Sequence, residues 1–234
     1  MNIIGFAILG FIAIYILSGA YKGFVWSAST LVASVISCVL ALLLMSGVSK
    51  LIVSNDNFYE AMLSYTEGSE YVFDVEYAKT DITKLTNDQI DEVMEKANLP
   101  YPMDDRVHEN IMTEAFKDDQ ITTLGDYFNE SMVMVIVNII SFLIIYFILR
   151  VILTFALSWL DYSKPFPVLR RVDWLVGGCI GAVRGVVAAS IVLMVLPIVL
   201  TVLPFDAIKE LVDASSIATF FYKSSLLLKF IPGV

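Results

Sequence analysis

The chain has 234 residues, 58% of them hydrophobic and only 17% charged. A soluble domain is nearer about 45–50% apolar and about 25% charged, and the mean hydropathy of +0.77 points the same way. That balance excludes an ordinary soluble enzyme, and the net charge of −9 argues against nucleic acid as a partner. A single histidine, His108, cannot build a multi-His metal site. The two cysteines, Cys38 and Cys179, stand far apart in apolar stretches and read as free packing thiols.

Four apolar segments follow one another along the chain. The first, Ile3–Leu17, is short and borrows flanking residues to reach the length of about 20 that a spanning helix needs. It has no basic stretch before it, so it reads as a retained span and not as a cleaved signal. Phe24–Val48, Ser131–Leu149, which continues apolar to Leu160, and Leu175–Leu203 are long enough as they stand. The runs are continuously apolar, whereas a membrane strand alternates, so the spans are helical. Pro197 is expected to kink the last segment and Pro204 to stop it.

The charges fall unevenly. Residues 50–130 hold 19 of the 24 acids and 6 of the 15 bases. The rest of the chain is weakly basic. The sequence therefore divides into a first transmembrane hairpin (1–49), an acidic insert (50–130), a second hairpin (131–205) and an amphipathic tail (206–234). Within the insert, Thr86 and Gln89 read as a capping box, followed by Ile90, Val93, Met94 and Ala97 at helical spacing. Val107, Ile111, Met112, Ala115 and Phe116 suggest a second amphipathic helix. Phe58, Tyr59, Tyr65, Tyr71, Phe73 and Tyr77 offer aromatic surface to bury. A mostly helical acidic cap is expected, against the alternative of a solvated, partly ordered loop. In the tail, Ile208, Leu211, Val212 and Ser215 share one helical face, and Phe220, Phe221, Tyr222 and Leu226–Leu228 are candidates for the membrane interface.

Cations follow the positive-inside rule. Lys22, Arg150, Lys164, Arg170, Arg171 and Arg184 group on one side of a four-helix topology. This places the 161–173 loop inside the cell. The N-terminus, the insert and the tail then lie outside.

Two pentamers share a Gly-Ala-x-cation-Gly pattern: Gly19 to Gly23 and Gly181 to Gly185. Gly177, Gly181, Gly185 and Ala189 recur every fourth residue and make one small-residue stripe on a helix, with Gly19, Gly23 and Ser27 as a shorter one. Such stripes read as close helix packing, with a self-association or pore-lining face as the alternative. Lys22, Arg150, Asp173 and Arg184 are the candidate functional charges. The three cations are expected at one depth near the inner headgroups. There they either snorkel to lipid phosphate or form a cluster that meets an anion, a partner's acid or a lipid head. Asp173 could pair with Lys22 or Arg170, or cap the helix that begins near Trp174.

Asp173, Gly177, Gly181, Arg184 and Gly185 together resemble the Asp-x-x-x-Gly-x-x-x-Gly-x-x-Arg-Gly pattern of the colicin V production protein family. Gly19, Lys22, Gly23 and Phe24 are similar to that family's first-hairpin Gly-x-x-Arg-Gly-Phe, with Lys22 where the family has Arg. The resemblance spans the first two helices and residues 131–203. The acidic insert is longer than the family's usual second connection. The resemblance implies a small bacterial inner-membrane protein with multi-pass helices, linked to production of a secreted peptide toxin and to envelope functions. It supplies no catalytic residues.

The expected class is thus an all-α polytopic membrane protein with an acidic extracytoplasmic insert. The expected role is non-enzymatic: support of toxin production, secretion or envelope homeostasis. The alternative is a subunit of an oligomeric small-solute or ion channel or transporter. No cofactor, metal or catalytic site is expected. The expected partners are the lipid bilayer, a second copy of the chain, and a protein at the acidic insert.

Overall fold

The computed structural model describes residues 2–159, 171–202 and 206–234. The fold is helical, and among the described residues the one strand-like feature is a bridge between Asp81 and Thr123. The chain separates into two compact units. The first comprises Met1–Leu44, Phe142–Met194 and Asp206–Leu227; the second comprises Met45–Ser141, Val195–Phe205 and Leu228–Val234.

Three helices are long and apolar enough to cross a membrane: α1 (Ile3–Val53), α6 (Leu124–Leu157) and the stretch Asp173–Val202. Helix α1 counts 51 residues, which as one straight rod would far exceed the bilayer core of about 30 Å. It is not one rod. Gly23 has φ 80 and ψ −179, a conformation outside the helix. Ser27 Oγ lies 3.5 Å from the Gly19 carbonyl oxygen, to which it donates. Eight residues of straight helix would separate those residues by about 12 Å along the axis. The chain therefore bends sharply at Gly23 into two arms, which is where the sequence places the turn between its first two spans.

In the first unit, the apolar residues point outward as well as inward. On α6, Ile144, Phe147, Ile148, Val151, Ile152 and Phe155 are exposed. On the second arm of α1, Val32, Val35, Ile36, Val39 and Leu43 are exposed too. An apolar face of that extent belongs to a membrane protein. One boundary differs from the sequence reading, and the break expected at Pro197 is present. Helix α6 begins at Leu124, before Ser131, and it runs past Arg150 to Leu157. Helix α7 (Asp173–Leu193) ends before Pro197, and α8 (Leu196–Val202) restarts around it. Proline has no N–H to offer the Leu193 carbonyl, so the helix breaks just ahead of the ring. Pro204, Lys164, Arg170 and most of the 161–173 loop lie outside the described residues.

The second unit is an ordered helical body, not a solvated loop. Helix α2 (Asp56–Thr66) is capped by the Asn55 side chain, which accepts from the Phe58 N–H. The short α3 (Val75–Ala78) is capped by Asp74. Helix α4 (Asn87–Ala97) has the reciprocal capping box between Thr86 and Gln89, and it ends at Asn98 in the left-handed region. Its Ile90, Val93 and Ala97 are buried while Asp88, Asp91, Glu92 and Glu95 face outward. Helix α5 (Met103–Met112) buries Val107 and Ile111. It stops short of Ala115, and Met112 is exposed, so the second amphipathic helix is shorter than its periodicity predicts. The aromatic surface also behaves differently. Phe58, Tyr65 and Phe73 are exposed. The core is instead centred on the start of α6, where Leu124, Tyr127, Phe128, Met132, Val133, Val135, Ile136 and Ile139 are buried.

The tail is divided between the units. Helices α9 (Asp206–Asp213) and α10 (Ser216–Lys223) pack in the first. Ser215 is not on the α9 face; it caps α10 by accepting from the Ala218 N–H. After the short α11 (Leu226–Lys229), the last residues lock into the second unit. Asn110 Nδ2 donates to the Gly233 carbonyl at 2.9 Å and to Ser131 Oγ at 2.9 Å. Asn138 Nδ2 donates to the Pro232 carbonyl at 3.0 Å. Arg106 donates to the Lys229 carbonyl at 2.5 Å. Leu228 and Ile231 are completely buried.

Candidate functional site

The five glycines singled out by spacing meet in the first unit. Gly177, Gly181 and Gly185 share one face of α7, and that face lies against the first arm of α1. A Cβ on Gly19 would collide with the Gly177 carbonyl oxygen and come within 3.0 Å of Gly181 Cα. A Cβ on Gly177 would strike the Gly19 carbonyl and the Gly23 backbone. At Gly181 it would strike the Tyr15 carbonyl, and at Gly185 it would lie 3.1 Å from Ile12 Cα. The two backbones touch, which only hydrogen side chains permit. In an apolar medium, where lipid is as greasy as leucine, such van der Waals contact holds helices together.

Gly23 has two reasons to be glycine. Its φ of 80 with an extended ψ is a region that L residues avoid. Its missing side chain also leaves room for the Asp173 carboxylate, which a Cβ would overlap. Asp173 Oδ1 accepts the Phe24 N–H at 3.1 Å. Phe24 opens the second arm of α1, and the first N–H groups of a helix lack partners within it. Asp173 thus caps a helix end across the bend instead of capping its own helix, whose N-cap Val172 offers no side-chain bond. It makes no ion pair with Lys22 among the described residues. Replacing Asp173 with Ala should cost about 1 kcal/mol, as losing a cap does. Chemical denaturation of the detergent-solubilised protein measures it; an unchanged midpoint would deny the capping role.

Lys22 and Arg184 meet at one aromatic ring. Lys22 Nζ sits 4.0 Å from the centre of the Trp26 ring, across the bend at Gly23. Arg184 Cζ lies 4.3 Å from the centre of the same ring and 5.3 Å from that of Tyr15. Arg184 is only 7% exposed. Its Nη1 and that of Arg150 are buried without a hydrogen-bond partner. Arg150 is near enough for its charge to act on Arg184, and the hydroxyls of Tyr15 and Tyr146 are within electrostatic reach. Tyr146 shares a hydrogen bond of 2.9 Å with Ser34. Among the described residues neither arginine has a carboxylate within ion-pair distance. Spacing identified the charges but not Tyr15, Trp26, Ser34 and Tyr146 around them.

The family comparison falls on this architecture. The family described as Colicin V production protein matches residues 120–225. Over those residues the chain is similar to that family. The matched stretch includes α6, α7, α8, α9 and α10, and with them Arg150, Asp173, Gly177, Gly181, Arg184 and Gly185. Its Asp-Gly-Gly-Arg-Gly motif is thus the face that receives the first arm of α1, while Gly19, Lys22 and Gly23 precede the matched residues. No curated protein and no solved structure matches the chain.

The second unit offers a different surface. An open cleft of about 430 Å³ is lined by Tyr65, Glu67, Glu70, Tyr71 and Thr201. Nearby, the Tyr59 hydroxyl donates to the Glu130 carboxylate. Burial, and then that carboxylate, push the Tyr59 phenol above its ordinary range. The cysteines are free, with Cys38 buried and Cys179 exposed on α7.

Proposed function

We propose that this chain is a non-enzymatic, multi-pass protein of the bacterial inner membrane that supports production or export of a peptide toxin, or upkeep of the envelope. The similarity to the Colicin V production protein family over residues 120–225 carries this reading. The apolar exposed faces of the first unit suit burial in lipid with four spans, the first two being the arms of α1. The acidic second unit then stands outside the cytoplasm, where its glutamate- and tyrosine-lined cleft suits a protein contact. Photo-crosslinkers at Tyr65 and Glu95, both exposed, test the role in cells. Adducts with a membrane or secreted protein at either site are expected; a profile free of adducts at both would overturn the contact role.

The buried cations favour a second reading, a subunit of an oligomeric ion or small-solute channel. Flux through the purified, correctly inserted protein in liposomes would establish it. The glycine stripes lend it no support, because the α1 backbone occupies them.

A further inference from the structure

In one apolar helical unit, buried Arg184 and half-buried Arg150 each carry a buried Nη1 without a hydrogen-bond partner. Taking a charge out of water costs several kcal/mol even after relaxation. Two like charges in reach of each other add repulsion. Such an arrangement persists when something negative completes it, and no described carboxylate does so. We infer that Arg150 and Arg184 form a binding site for a phosphate group, carried by an anionic lipid head or by inorganic phosphate.

The geometry of Arg184 selects the ligand. Trp26 and Tyr15 hold the guanidinium through cation–π contact, with their ring centres 4.3 and 5.3 Å from its central carbon. Nη1 of the group is left to donate. Arg150 supplies a second donor of the same kind. Two guanidinium edges match the several oxygens of a phosphate, which accept forked, charge-assisted bonds. The Tyr146 hydroxyl, 2.9 Å from Ser34 Oγ, adds a neutral polar group one helical turn before Arg150 on α6. Around the site, Phe147, Ile148 and Val151 of α6 are exposed, offering acyl chains an apolar face.

The experiment uses the full chain, purified in detergent and stripped of lipid. Thermal unfolding is followed with added phosphatidylglycerol, with phosphatidylcholine, and with inorganic phosphate, and native mass spectrometry reads lipid retained. The site predicts a saturable rise in the unfolding midpoint with phosphatidylglycerol or with phosphate. That rise should fall at least tenfold in apparent affinity in Arg184→Gln and in Arg150→Gln. Retained phosphatidylglycerol that Arg184→Gln loses assigns the site to lipid. A response to phosphate without lipid retention assigns it to the free anion. If Arg184→Gln does not fold, Arg150→Gln carries the same test. A midpoint that neither anion moves, or that both variants share with the native chain, overturns the inference.

Discussion

Replacing Gly181 with Leu is expected to separate α7 from the first arm of α1 and to abolish the compact fold in detergent. The position faces backbone, not flexible side chain: a Cβ there already meets the Tyr15 carbonyl and lies 3.1 Å from Ile16 Cα. Overpacking of a core typically costs about 1–3 kcal/mol when side chains yield. Here the yielding group is a helix, so the cost sits at or above that upper end. The change also displaces Tyr15 from Arg184 and the α1 bend from Asp173, coupling it to the cationic site. Size-exclusion chromatography and thermal unfolding read the result. Gly10→Leu is the control, since nothing lies within 4 Å of that position. Equal behaviour of the two variants would deny the packing role of the stripe.

Removing residues 228–234 is expected to have a comparable effect on the second unit. The deletion takes out Leu228 and Ile231, each fully buried, at about 2–3 kcal/mol apiece. It also strips carbonyl partners from the side-chain amides of Asn110 and Asn138. A buried donor left unpaired costs about 1–3 kcal/mol. Together these losses compare with the whole stability of a typical domain, about 5–15 kcal/mol. Limited proteolysis should cut between residues 55 and 130 in the truncated chain and spare it in the intact one. Equal resistance would mean that the tail merely lies on the second unit.

The contrast between the glycine stripe and the tail shows what the sequence could disclose. Gly177, Gly181 and Gly185 repeat at the helical period, so their common face is written locally. Their partner was foreshadowed only by the matching pentamer at Gly19–Gly23. The capping box at Thr86 and Gln89 is equally local, and the helix starts there. The tail is the reverse case. Ile231, Pro232 and Gly233 carry no periodicity, and their partners Asn110 and Asn138 are about 90–120 residues away; only folding brings them together.

The charges lie between these cases. Arg184 and Arg150 were visible as cations in apolar runs. The continuation of α6 beyond Arg150 through Val151, Ile152 and Phe155 was legible in the apolar run to Leu160, whereas the Tyr15 and Trp26 rings beside Arg184 were not. Asp173 shows a third limit: its N-cap chemistry was legible, but the helix it caps is another one, reached through the bend at Gly23.

The central claim is a membrane-embedded apolar unit with the acidic unit on the outer side, and thiol labelling in intact cells tests it most directly. The background carries Cys38→Ala and Cys179→Ala, and the probe is Glu95→Cys on the exposed face of α4. Gly68 is a poor probe position, because a Cβ there would lie 2.9 Å from the backbone of Asn129. A membrane-impermeant maleimide should label Glu95→Cys in intact, outer-membrane-permeabilised cells as fully as in lysate. Labelling that appears only after lysis would put the acidic unit in the cytoplasm and contradict the account.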